Sequence, residues 1–204
     1  MNSVDSILEN LQKEVELYGR SGLESVYADN LQFSIPAEGF TTPIQADEEA
    51  GIGDVAWFFA CARKGQVVPC PNPDRSFWVK FFGKDALPYG LTWNVDKVLG
   101  ALKDDSKGRR AVLCNGSFGD SPPCILSYQF QQLTYGQLDL TVTMRSSDVA
   151  NVLAQDVLMS RVILENFAEP LDLDPGKMTF CIANAHVFYK DMLYAEEYTI
   201  DYGD

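Results

Sequence analysis

The chain has 204 residues, 46% hydrophobic and 12% aromatic, enough for one domain with a full core and no staples. A net charge of −13 argues against a duplex-binding surface, which needs clustered Lys and Arg, yet a small anion held by two or three arginines is still allowed. The cysteines, at 61, 70, 114, 124 and 181, are odd in number and lack metal-ligand spacing, so no metal is expected and they read as free thiols in a reducing compartment. No apolar run approaches a membrane span, and Met1 to Glu16 is too acidic for a signal peptide. A cytoplasmic location is expected.

In chain order, Val4, Ile7, Leu8, Leu11 and Val15 recur at helical spacing behind Ser3, a residue type that caps helices. This predicts a helix from Ser3 to Tyr18, stopped by Gly19-Arg20-Ser21-Gly22. Glu24 to Ile35 reads as a strand ending at Pro36. Asp47 to Lys64 reads as a helix with Ile52, Val55, Ala56 and Phe59 on one face and Asp54 within it. A proline-rich loop, Gln66 to Pro73, leads to Arg75 to Phe82, whose aromatic content reads as strand. Asn94 to Leu102 is a predicted helix, Asp104 to Arg110 a charged loop and Ala111 to Cys114 a strand. Two prolines precede Cys124 at the start of the next strand. A turn at Tyr135-Gly136 joins it to Gln137 to Met144, where Leu138, Leu140 and Val142 point one way and Gln137, Asp139 and Thr141 the other. A long helix is predicted from Ser146 to about Ala168, then a loop at Leu171 to Gly176. Lys177 to Val187 reads as a buried strand carrying the sole histidine, His186, and Glu197 to Asp204 as a final short strand. The paired strands bring the Cys124 thiol near the Arg145 guanidinium. A thiol beside a fixed cation ionises more easily, and an arginine next to hydroxyls before a helix start suits an anion.

Pro123-Cys124, Gln129-Phe130, Arg145-Ser146-Ser147-Asp148 and Asp156 together resemble thymidylate synthase and its close relatives, the pyrimidine-nucleotide hydroxymethylases. Other pieces match in the same order: Arg20-Ser21-Gly22, Gly39-Phe40, Asp54-Val55-Ala56-Trp57-Phe58, Tyr89-Gly90-Leu91-Thr92-Trp93, Arg109-Arg110, Leu171 to Gly176, and His186. The resemblance implies one α+β domain over residues 1–204, a mixed sheet backed by the long helix, and a homodimer formed through the sheets. It implies a pyrimidine nucleoside monophosphate as substrate and 5,10-methylenetetrahydrofolate as one-carbon donor. Cys124 would be the nucleophile and Asp54 would order water and move protons. Arg20, Arg145 and Ser146, with the partner's Arg109 and the partner's Arg110, would hold the phosphate. Asp148, Asp156 and His186 would contact base and sugar. Without the resemblance, Arg20 reads as a solvated arginine after a helix and Arg109-Arg110 as a basic loop tip.

Several residues depart from the synthase pattern. Asp156 stands where synthases carry Asn. A carboxyl that is protonated, or shares cytosine's proton, complements the cytosine edge. Met144 before Arg145 also resembles the deoxycytidylate hydroxymethylases. Ala150 to Gln155 replaces a segment that packs on folate, the chain is short between Trp57 and Tyr89, and the family's C-terminal tail has no counterpart. Phe188 lacks the phenol that would hold a sugar hydroxyl. These features favour water over hydride in the last step, and therefore hydroxymethylation of a cytidylate. A uridylate-modifying enzyme and a non-catalytic nucleotide-binding paralogue are the alternatives; tritium release from carbon 5 separates enzyme from binder.

Overall fold

The computed structural model describes residues 3–83, 88–116 and 123–193; the strand expected at Glu197 to Asp204 lies outside them. Among the described residues, seven strands form one mixed sheet. Helix α1 (Val4–Tyr18) is capped by the Ser3 hydroxyl, which accepts the Ser6 N–H, and leads into β1 (Arg20–Ser21) and β2 (Ser25–Ile35). Helices α2 (Glu48–Lys64), α3 (Phe77–Phe82) and α4 (Val95–Asp104) follow, then β3 (Val112–Cys114), β4 (Ile125–Gln131), β5 (Gln137–Met144) and β6 (Ser147–Asp148). Helix α5 (Leu153–Ala168) and β7 (Asp174–Phe188) complete the core. The strand order is β1-β2-β7-β5-β4-β3, with β6 also paired to β7. The β5–β7 and β6–β7 pairs are parallel and the others antiparallel.

Helix α5 backs the sheet. Leu153, Val157, Ile163, Leu164 and Phe167 are buried in one cluster with Phe130, Val142 and Phe180 from the strands. Helix α2 packs closely against α5 at Gly51, where a Cβ would lie 2.8 Å from the Leu158 side chain and force it to shift. At Gly90, in the 3-10 turn Tyr89–Thr92, a Cβ would sit 1.8 Å from the Phe58 carbonyl oxygen, so only glycine lets that turn reach α2. The opposite face of the sheet is lined by small polar groups. One cross-strand row runs Ser34, Thr179, Thr141, Gln129, Val112, and its neighbour Gln32, Cys181, Thr143, Ser127, Cys114; Ser34 and Thr179 share a hydrogen bond of 2.9 Å.

Three expectations about elements are corrected. Residues 77–82 are helical, although aromatics favour strands. The Ser76 hydroxyl accepts the Val79 N–H at 3.0 Å and Asp54 accepts that of Trp78 at 2.9 Å, so the first turn is capped twice and Phe77 stacks on Phe81 one turn later. The long helix begins at Leu153, because Ser147 and Asp148 are paired with Ala185 and His186 of β7. Asp148 then takes the N–H groups of Ala150 and Asn151 at 3.1 and 3.2 Å and turns the chain. The loop expected at Leu171 to Gly176 ends early, β7 starting at Asp174. Asp139, expected opposite the core-facing leucines, is nevertheless buried, since its carboxylate accepts the Lys177 N–H at 2.7 Å beside the β5–β7 register shift.

Candidate active site

Cys124 lies just before β4. The Arg145 N–H donates to the Cys124 carbonyl at 2.8 Å, and Arg145 Nε donates to the Pro123 carbonyl at 3.2 Å. The hairpin thus brings thiol and guanidinium together, but the thiol's pKa is raised. Burial is the larger cause and Asp156 adds to it; Arg145 and the Ser146 hydroxyl pull the other way. The expectation of an easily ionised thiol is corrected on this ground: desolvation of the thiolate outweighs one nearby cation.

Asp156 sits in the first turn of α5, 2% exposed. Burial lifts its pKa to about 8, so its carboxyl is mostly neutral at pH 7. Its Oδ2 is buried without a protein partner. Tyr89, Tyr128 and Cys124 all feel its charge. Tyr89 Oη accepts the Ile125 N–H at 3.3 Å, which ties this group to the start of β4.

A cross-strand row carries the second group. Arg20 of β1 is in register with Tyr27 of β2, Tyr27 with His186 of β7, and His186 with Asp148 of β6. Registered residues share a face of the sheet. Arg20 is exposed, pairs with Asp29 and lies over the Tyr27 ring, 5.5 Å from its centroid. Asp148 also accepts from Asn151 Nδ2 at 2.9 Å. Burial lowers the His186 pKa, Asp148 opposing it, and the imidazole meets Phe188 edge-on at 5.2 Å. Tyr27 was missed in the sequence because only strand register puts it beside His186.

The remaining candidates make no hydrogen bond or ion pair with either group among the described residues. Asp54 is 1% exposed on α2, its oxygens taken by the Ser76 hydroxyl at 2.5 Å and the Trp78 N–H. Burial raises its pKa against these hydrogen bonds. Arg109 and Arg110 are exposed just before the edge strand β3, with no ion pair among the described residues. A cleft of about 240 Å³, lined in part by Leu8, Pro43, Ile44, Val149 and Leu193, opens next to the Asp148 turn. No helix among the described residues is long and apolar enough to cross a membrane.

The family model for thymidylate synthase matches residues 77–199. Cys124, Arg145, Asp148, Asp156 and His186 fall inside the match, while Arg20 and Asp54 precede it. A protein of Methanopyrus kandleri described as "Putative thymidylate synthase" is 28% identical over 118 residues, covering 55% of this chain and 53% of that protein. The chain therefore spans about half the length of this curated relative.

Proposed function

Because the chain belongs to the thymidylate synthase family, we propose that it is a pyrimidine nucleoside monophosphate 5-hydroxymethyltransferase acting on a cytidylate. The observation that carries this reading is the buried, largely neutral carboxyl of Asp156. Its hydroxyl donates to ring nitrogen 3 of cytosine and its carbonyl accepts from the exocyclic amino group.

The Cys124 thiolate adds to carbon 6 of the base, making carbon 5 nucleophilic. Arg145 and Ser146 favour that thiolate and hold the phosphate together with Arg20; Arg109 and Arg110, free of intrachain ion pairs among the described residues, serve the site of a second copy in a homodimer. Methylenetetrahydrofolate would supply the one-carbon unit when bound. Water completes the hydroxymethyl group, and Asp54 orders it once one of its oxygens is released from Ser76 or Trp78. His186 and Asp148 contact the sugar and base. Tyr27, in register with His186, brings a phenol to that row, whereas Phe188, in register with Ser25, has none.

A second reading, modification of a uridylate, is favoured by the description of the Methanopyrus kandleri relative. Incubation with methylenetetrahydrofolate and each of dCMP, CMP and dUMP, followed by mass measurement, decides between them. A hydroxymethylated cytidylate is expected; a wild type that prefers dUMP would return the protein to the uracil branch.

A further inference from the structure

A neutral carboxyl offers one donor and one acceptor, and moving its proton from one oxygen to the other exchanges them. One arrangement complements cytosine, the other uracil. A neutral Asp156 can therefore take a cytosine edge, and how strongly it prefers that edge falls to whatever fixes its proton.

The groups behind Asp156 are hydroxyls. Ser160 is on α5 four residues further on, the spacing that places two side chains on one helix face, and is fully buried. Tyr128, from β4, is fully buried and feels the charge of Asp156, and its Oη, like Ser160 Oγ, is buried without a hydrogen-bond partner among the described residues. Tyr89, from the 3-10 turn, and Cys124, before β4, complete the titratable surroundings, with Arg145 acting on Cys124. Burial keeps both phenols well above their ordinary pKa, so both remain proton donors. Asp156 Oδ2, meanwhile, is a buried oxygen with no protein partner, which a native interior rarely tolerates.

We propose that Tyr128 and Ser160 are positioning residues: their hydroxyls donate toward Asp156 Oδ2, directly when substrate is bound or through one buried water, and so fix the carboxyl proton on Oδ1. Oδ2 then accepts from the base as well, through its second lone pair, and Oδ1 donates. The pair thereby decides which pyrimidine edge the site accepts. This rests on the reading of Asp156 as the base contact.

The test uses the whole chain, with aspartate carboxyl carbons labelled with carbon-13 and the Asp156 signal assigned by its loss in Asp156→Asn. Tyr128→Phe and Ser160→Ala remove one hydroxyl each. Because each removes a donor to the carboxylate, the Asp156 titration in ligand-free protein should move upward. The dCMP to dUMP ratio of kcat/KM should fall about tenfold, the size of one hydrogen bond lost at a base edge. Tritium release from carbon 5 should persist. If Tyr128→Phe does not fold, Ser160→Ala carries the same expectation. A lowered Tm with an unmoved titration and an unmoved base ratio would make the pair merely structural and overturn the proposal. If Asp156→Asn leaves base preference unchanged, the base-contact reading itself falls; the titration shift in Tyr128→Phe, measured without nucleotide, would still report whether the hydroxyls act on Asp156.

Discussion

At the residue scale, three side chains carry the clearest tests. Cys124→Ser should keep the fold and nucleotide binding but lose turnover and tritium release, whereas Ser at the other cysteines should be tolerated better. Activity retained in Cys124→Ser would remove the covalent step. Arg145→Ala should weaken nucleotide binding at least tenfold, since a charge-assisted hydrogen bond contributes about 1.5–3 kcal/mol; calorimetry showing unchanged affinity would take Arg145 out of the phosphate site. Asp156 makes a stability prediction as well. Its pKa rises from 3.8 to about 8 in the folded protein, so the native state holds this proton more tightly than the unfolded chain. The resulting stability is fully present below the unfolded value and declines as pH climbs toward the folded one, then levels off. Asp156→Asn should abolish that slope. Urea unfolding across the interval would show parallel curves for the two proteins if the carboxyl were ionised throughout.

At the element scale, α3 depends on Asp54 from a different helix. A short aromatic segment becomes helical because Asp54 and Ser76 together satisfy the N–H groups of its first turn. Asp54→Ala should cost about 1–3 kcal/mol, the penalty for leaving such buried groups unpaired. If Asp54 also orders the quenching water, product formation should fall further than nucleotide binding. The two effects separate by experiment: Asp54→Asn preserves a carbonyl acceptor for the helix but has no carboxylate to move protons, so it should recover more stability than activity. Full recovery of both would leave Asp54 as a cap alone.

At the scale of the molecule, the sheet has one face under α5 and one face of Thr, Ser, Gln and Cys rows. Antiparallel sheets can leave one face in water, so this polarity alone is neutral about partners; Arg109 and Arg110, placed at the β3 edge and not bound to any described carboxylate of their own chain, are the reason to expect a second copy across that face. Sedimentation at micromolar concentration should show a dimer. Thr141→Arg, in the middle of a row, should yield monomers with weaker nucleotide binding, and a wild type that sediments only as monomer would count against the shared site.

Much of this was legible without coordinates. The cap at Ser3, the helices read over Asp47 to Lys64 and Asn94 to Leu102, and the alternation of Gln137 to Met144 are local rules, in which each residue reports its own neighbours, and the motifs around Cys124, Arg145, Asp156 and His186 fall within the stretch that the family model matches. Local rules failed where a distant residue intervened. Residues 77–82 are helical because Asp54 reaches them from α2, and α5 starts late because β7 claims Ser147 and Asp148. The charge states were also beyond the sequence. Whether Arg145 or burial controls the Cys124 thiol, and whether Asp156 is neutral, depend on how much water the packed sheet and α5 exclude. Desolvation is a property of the whole enclosure, and only the tertiary structure builds it.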